Sequence, residues 1–443
     1  MNASQLIDVR HVLDEGQFRG FQLRALGLCA ILAFLDGVDS QSIALAAPII
    51  ADNLHVGRAA LGPIFSAALF GGMIGALTFG PLGDRVGRKR MLLLAALLFG
   101  LFTIATIYVQ SYAELLAARF VVGLGLGGAT PCFISLASEY APSRRRGMVS
   151  SLIWAAFPLG GIIGGFANAY ILATYSWQAM FFVGGVLPIL AAAALAIWLP
   201  ESVQFLVASG APQPRIDRIM RRIEPDLPQG ARYVASEASG GEAPAASLFR
   251  RGRALATILL WTPFLTAFGI LAIAVLWTPT LLRANGVAPS QASIVIGVHG
   301  IGALIGMASA GRLVERFGPV RTLCPALVLG AIAVAALGYA AVSVPTMMIA
   351  LTLIGLLIGL AAAGSIALAT LTYPTPVRAS GLGWAMGMGR FGQLLSPLAA
   401  SAGVAAGWSD AHVFVALALA PLIGAAAVLA LSALPANEAI AAA

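Results

Sequence analysis

Charge is scarce in this sequence. Only 10% of its 443 residues are Asp, Glu, Lys or Arg, where a soluble globule carries about 25%. That shortage excludes an ordinary water-soluble domain. Cysteine is scarcer still: Cys29, Cys132 and Cys324 are all there is, each inside an apolar run. With no pairing pattern they read as packed thiols, and a disulfide scaffold is excluded. The sequence has no His/Cys cluster at metal-ligand spacing and no Gly-Lys-Ser phosphate loop. Neither a metal centre nor pumping by ATP hydrolysis is therefore expected, and the chain does not read as an enzyme. The first twenty residues are polar, with Asp14, Glu15 and Arg19, and lack a cleavable apolar segment. The first apolar run is then expected to be its own insertion signal.

What the chain has in excess is apolar sequence, at 59%. It falls into twelve runs: 23–51, 59–82, 91–109, 112–138, 147–172, 177–199, 255–282, 289–314, 320–342, 346–371, 380–406 and 410–434. A helix needs about 20 such residues to cross a bilayer. The runs are continuous rather than alternating, which argues against a β-barrel. The 50 glycines suit close helix packing in lipid. The expected fold is an all-α polytopic membrane protein of twelve transmembrane helices in two six-helix lobes. Its parts are a cytoplasmic N-terminus (1–22), a first lobe (23–199), a cytoplasmic central loop (200–253), a second lobe (254–434) and a cytoplasmic tail (435–443).

The net charge of +8 does not point to nucleic acid, because of where it lies. Of 26 Lys and Arg, 22 fall in the N-terminus and the loops on its side of the bundle. The opposite side has Arg58 and Arg283; Arg119 and Arg390 lie within spans. This asymmetry places both termini in the cytoplasm. The central loop begins with Arg215, Arg218, Arg221 and Arg222, which suits an interfacial helix. It continues with an Ala/Gly/Ser/Glu stretch, 235–246, that reads as a flexible linker.

The halves echo each other. Gly80-x-x-x-Asp84-Arg85-x-Gly87-Arg88-Lys89 follows span two, and Gly311-x-x-x-Glu315-Arg316-x-Gly318 follows span eight. Pro142-x-Arg144-x-x-Gly147 recurs as Pro376-x-Arg378-x-x-Gly381. Two echoes at nearly one offset argue for duplicated halves, as transporters use. Asp84, Arg85 and Arg88, with Glu139 and Arg144, lie at helix ends where ion pairs can form when that side shuts and break when it opens. They read as a gate, or more simply as topogenic charge.

The first span holds Phe34-Leu35-Asp36-Gly37-Val38-Asp39. Asp36 is about 18 Å of helix past Arg24, near the midplane. Asp39, at i+3, shares its face. An ionised Asp there costs about 2.5–3.5 kcal/mol, so such residues are functional by default or else hold helices together. Arg390 lies about 15 Å into span eleven. Its planar fork suits a substrate carboxylate, or a standing pair with Asp36 or Asp39. Arg119 reads as a proton-coupling group or as a structural partner of a span-one Asp. His299 reads as a proton relay or as a packing residue. Aromatic residues recur near these stretches: Phe34, Trp154, Phe157, Trp261, Phe264, Phe268, Trp277, Trp384 and Phe391. An aromatic solute would want such faces, although most of them suit packing or the membrane interface.

On these motifs the chain resembles the major facilitator superfamily over essentially its whole length. Gly80 to Lys89 matches its loop between spans two and three. Arg119-x-x-x-Gly123-x-Gly125-x-Gly127 matches its span-four signature, and Pro200-Glu201-Ser202 its span-six terminus. Asp36-Gly-Val-Asp39, His299 and Arg390 within Gly389-Arg-Phe-Gly resemble the aromatic acid:proton symporter family, the 4-hydroxybenzoate/benzoate-type permeases. The resemblance implies proton-coupled uptake of a small aromatic carboxylate across the cell inner membrane by a monomer, driven by the proton gradient with no cofactor. It implies proton coupling by Asp36, Asp39, Arg119 and His299. Substrate binding falls to Arg390, Asp36, Phe34, Trp384 and Phe391, and gating to Gly80, Asp84, Arg85, Gly87, Arg88, Glu139, Arg144, Glu315 and Arg316. Two departures stand out: Pro319 and Val320 replace the second-half counterparts of Arg88 and Lys89, and span eleven reads Gly-Gln-Leu-Leu-Ser-Pro after Arg390. The alternatives are a proton-coupled antiporter exporting drugs or metabolites, with Pro158-Leu-Gly160-Gly161 as its Gly/Pro element, a symporter of another organic anion, or a receptor that senses a ligand without moving it.

Overall fold

In the computed structural model, residues 6–15, 20–142, 146–225, 227–228, 231–234, 248–249, 254–340, 343–373 and 375–434 are described. The chain opens with β1 (Leu6–Asp8) and α1 (Val9–Glu15). The first lobe is α2 (Gly20–Asn53), α3 (Leu61–Val86), α4 (Arg88–Ala105), α5 (Tyr112–Tyr140), α6 (Arg146–Thr174) and α7 (Trp177–Trp198). The central loop holds α8 (Val203–Ala208), α9 (Gln213–Ile223) and β2 (Arg232–Val234). The second lobe is α10 (Ala254–Ala284), α11 (Pro289–Phe317), α12 (Pro319–Ala340), α13 (Val344–Thr372), α14 (Thr375–Ala405) and α15 (Asp410–Ala433). Each of the twelve apolar runs becomes one long helix.

Among the described residues, eleven of these helices are long and apolar enough to cross a membrane. The twelfth, α14, is long enough at 31 residues. Arg390, Gln393, Ser396 and Ser401 lower its hydropathy, because one stripe of α14 faces the other lobe rather than lipid. Ser401 accepts a hydrogen bond from the Gly62 amide at 2.8 Å, and the Leu394 carbonyl accepts one from Ser66 at 2.9 Å.

Lipid gives helices no hydrophobic reason to associate, so close packing and polar pairs decide which faces meet. Gly37 is an instance: a Cβ there would overlap the Phe157 carbonyl of α6. Phe34 and Gly160 meet on the same seam. The Gly160-Gly161 pair thus serves α2–α6 packing.

The end of the bundle beside β1 and the close of α15 is the terminal face, and the other end is the opposite face. Four hydrogen bonds among the described residues cross between the lobes, all in the half toward the opposite face. Two are those of Gly62 and Ser66; the others belong to ion pairs, Arg58–Asp410 at 2.8 Å and Arg283–Asp52 at 2.7 Å. An aromatic contact lies in the same half: Phe65 of α3 meets Trp277 of α10 edge to face, with centroids 6.4 Å apart. The apolar core follows this division. One cluster runs from Ala47, Ile50, Ile64 and Phe65 into the second lobe through Trp277 and Leu281. Another fills the terminal half of the first lobe and takes in Val9, Leu13, Ile216, Met220 and Tyr233.

The last residues of that second cluster revise the reading of the central loop. The apolar stripe of α9, Ile216, Met220 and Ile223, is buried in the protein rather than in a bilayer surface. β2 pairs in parallel with β1, Leu6 opposite Arg232 and Asp8 opposite Val234. The Tyr233 hydroxyl donates to Asp217 at 2.8 Å, and Asp217 also pairs with Arg221 at 2.7 Å. The N-terminus is therefore clasped by the central loop beneath the first lobe. The expected linker, 235–246, lies outside the described residues.

Candidate functional site

Asp36 is the seventeenth of 34 residues in α2, and Arg390 the sixteenth of 31 in α14. Two ionisable groups thus sit at the midpoints of helices from different lobes. Both are half-buried, and they lie within Coulombic reach of each other. Among the described residues no hydrogen bond or ion pair closes between them. Each keeps its hydrogen-bonding capacity for something else.

Asp39 differs. Its side chain turns toward α5, where Arg119 donates to it from both terminal nitrogens, at 2.7 and 3.4 Å. Asp39 is 3% exposed and Arg119 1%. This is the structural pairing that the sequence left open for Arg119. Removing one partner of such a buried pair typically costs about 3–5 kcal/mol, since it strands the other charge. The Arg119 Nε has no hydrogen-bond partner among the described residues.

His299 is buried in the seam between α11 and α13. Its Nδ1–H donates to the Leu351 carbonyl at 2.8 Å. That bond fixes the tautomer: Nδ1 carries the hydrogen, and Nε2 is the atom left to take a proton. His299 therefore joins two second-lobe helices and is not brought into contact with Asp36 or Arg390.

The candidate aromatics divide. Phe34 is half-buried, two residues before Asp36 and so roughly 200° round α2 from it, and its backbone lies against Gly160 on the α2–α6 seam. Phe391 is 39% exposed and shares an outer stripe of α14 with Leu395 and Leu398, roughly 100° round the helix from Arg390. Trp384, on the same stripe, stacks on Trp261 of α10 with centroids 6.1 Å apart. Phe249 meets Trp261 edge to face at 5.6 Å. A further pair, which the sequence did not single out above the others, adjoins α14 beside Arg390. Phe264 and Phe268 stack at 6.2 Å, and Phe268 abuts Gly389, the residue before Arg390. The Trp154 side chain is outside the described residues.

The gate residues of the first lobe form one network at the terminal face. Arg88 pairs with Asp84 at 3.0 Å and with Glu139. Glu139 in turn accepts from the Ser202 hydroxyl. Glu201 accepts from the Lys89 amide at 3.0 Å, capping the start of α4, and also from the Ser202 amide. Gly87 has φ +111°, and a Cβ there would strike the Glu201 carboxylate. Only glycine satisfies both demands. Gly80 abuts the Pro131 ring of α5. These ties join α3, α4, α5 and the end of α7, all inside one lobe. Arg85 is exposed, and Arg144 lies outside the described residues. Glu315 and Arg316 are exposed at the end of α11, where Arg316 lies over the neighbouring Phe317 ring at 5.3 Å. The second-half copy of the motif thus has no counterpart of the first-half network among the described residues, as the loss of its Arg-Lys pair would produce.

Comparison with known proteins agrees with this architecture. The profile of the Major Facilitator Superfamily matches residues 29–285 and 259–441. The 4-hydroxybenzoate transporter PcaK of Pseudomonas putida is 32% identical over 421 residues, 93% of this chain and 92% of that protein. The 3-(3-hydroxy-phenyl)propionate transporter of Escherichia coli K12 is 34% identical over 410 residues, 91% of this chain and 92% of that one. Among solved structures, a bacterial homologue of the human lysosomal transporter Spinster superposes with a TM-score of 0.73 at 15% identity, covering 96% of this chain and 99% of its own; that likeness shows the fold. A full-length profile match, two relatives above 30% identity and twelve helices in two echoing lobes have one meaning: this chain belongs to the Major Facilitator Superfamily and is a multi-pass membrane transporter, not an enzyme.

Proposed function

We propose that this transporter is a proton-driven symporter that brings a small aromatic carboxylate of the hydroxybenzoate type into the cytoplasm. The observation that carries the reading is the relation of Asp36 to Arg390, facing charges at mid-membrane depth with no closed pair between them. A chain that only needed to neutralise Arg390 would bond it to Asp36, as it bonds Arg119 to Asp39. The names of the relatives supply the substrate class.

The step follows from charge. The guanidinium of Arg390 offers two parallel donors, which fit a carboxylate. The arriving anion takes Arg390 and leaves Asp36 as an unbalanced carboxylate in a low-dielectric cavity. A proton on Asp36 removes that charge, so the loaded site is neutral overall and the lobes can rock around it. Coupling then needs no cofactor; the proton gradient supplies the energy. Phe268, half-buried against Gly389 beside Arg390, is the ring expected to meet an aromatic solute, with the buried Phe264 stacked behind it. Lys and Arg gathered on the terminal face favour cytoplasmic termini in the cell inner membrane. The cross-lobe ties then shut the outer side.

The test is uptake of labelled 4-hydroxybenzoate into proteoliposomes under an imposed proton gradient. Accumulation that collapses when the gradient is dissipated is expected. Uptake indifferent to the gradient, or accumulation only of non-aromatic acids, would overturn the reading.

A further inference from the structure

At the opposite face a cavity of about 240 Å³ lies between the lobes. Pro48, Val56 and Leu61 give it apolar walls, and Arg58 and Arg283 line it. Thr280 also lines it; that residue is 4% exposed, and its hydroxyl has no hydrogen-bond partner among the described residues. These two arginines are the same two cations that the sequence places on this side of the bundle. Each is engaged across the lobe boundary, Arg283 with Asp52 and Arg58 with Asp410. The side chains of Arg283 and Asp52 are 39% and 63% exposed. Such a wet pair is weak and open to exchange. Drug-sized ligand sites run to about 300–1,000 Å³, so this smaller cavity suits a single-ring solute.

We propose that this cavity is an outer docking site for a small aromatic carboxylate, which takes Arg283 from Asp52 before the solute reaches the midplane. The incoming carboxylate replaces one anionic partner of Arg283 by another, so the charge around the guanidinium is conserved while Asp52 is released to water. Thr280 supplies a donor that nothing else uses. The ring lies against Pro48, Val56 and Leu61. Because Arg283–Asp52 is one of the ties between the lobes, docking also loosens the outer closure. The site admits its solute by dissolving one of the bonds that tie the lobes at that face. This inference rests on the aromatic-acid reading for its ligand class, and its test is separable from that reading.

The experiment is equilibrium binding of labelled 4-hydroxybenzoate to the purified full-length chain carrying Arg390→Gln, which disables the midplane site. Saturable binding should remain. Adding Arg283→Gln should weaken it by about tenfold, the scale of one lost charge-assisted contact. Adding Asp52→Asn should strengthen it, because the competitor for Arg283 is gone. Opposite signs are the signature. A purely structural ion pair is broken equally by either change, so shifts in the same direction overturn the proposal. Absence of saturable binding overturns it too, as does equal competition by the matching amide. Thr280→Val is the second variant and should also weaken binding, because it removes the unpartnered hydroxyl assigned to the carboxylate. Failure of the parent to accumulate the acid in proteoliposomes would sink the transport reading and leave the sign comparison standing.

Discussion

Arg119 holds Asp39 through both terminal guanidinium nitrogens, at 2.7 and 3.4 Å, wholly within the first lobe. Asp36 lies one turn earlier on α2 and has no such partner among the described residues. Two carboxylates that look equivalent in Asp36-Gly-Val-Asp39 therefore have different tasks. Asp39→Asn should destabilise the purified chain by about 3–5 kcal/mol, because Arg119 stays buried without its anion. Asp36→Asn should leave thermal stability near that of the parent and abolish gradient-driven accumulation while preserving solute exchange. Unfolding curves and paired uptake and exchange assays check both. Equal stability losses in the two variants would erase the distinction.

Arg390→Lys keeps the charge and loses the two-donor fork. A charge-assisted contact contributes about 1.5–3 kcal/mol, so affinity for a hydroxybenzoate should fall roughly tenfold to a hundredfold. The neutral amide of the same acid should be nearly unaffected. Titrating both ligands against parent and variant at one pH is the measurement. Equal weakening of acid and amide would make Arg390 a support for the bundle.

Gly87→Ala should cost about 1–3 kcal/mol, the usual range for a side chain forced into a sparsely populated backbone region. It should also loosen the cap that Glu201 places on α4. Turnover should fall more than midplane affinity, because Gly87 is at a helix end remote from Arg390. A loss of affinity with normal turnover would place this loop in the binding site.

Trp277→Ala removes the partner of Phe65 from the cross-lobe contact and opens a cavity; changes of this kind cost about 3–5 kcal/mol in a packed core. Thiol labelling of a cysteine placed at Ser66 reports the outcome. Labelling from the outer side should be faster with Trp277→Ala than without it, and unchanged labelling would mean the aromatic pair is not the seal.

The clasp of the N-terminus should depend on pH. Burial, followed by the hydrogen bond to Asp217, raises the Tyr233 phenol above its ordinary value. A group raised in this way stabilises the folded form fully below its unfolded pKa of about 10, and that contribution is lost as pH rises through the folded value. Amide hydrogens of Leu6–Asp8 should therefore lose protection only above about pH 10. Tyr233→Phe should remove that pH dependence.

Much of this was legible in the residues. The twelve spans, the two lobes and mid-membrane Asp36, Asp39 and Arg390 follow from hydropathy and helical rise, which are local. The pairing choices are not local. Asp39 rather than Asp36 takes Arg119 because of how α2 is rotated, and i+3 spacing is silent on that. Arg58 and Arg283 stood out as isolated cations, but Asp410 and Asp52 meet them only when the lobes come together. Glu201 was visible as part of a motif; its cap on α4 depends on where the end of α7 arrives. The β1–β2 pairing joins two three-residue strands far apart in the chain, too short for any alternation to register.

That pairing sets an order on biosynthesis. Leu6 cannot find Arg232 until the whole first lobe and most of the central loop have left the ribosome. At about 5–20 residues per second the wait is roughly ten to forty-five seconds. Until then the strand has an open edge and the first six helices stand in the bilayer without their clasp. When β2 emerges, the first lobe is fastened from below just as synthesis of the second begins.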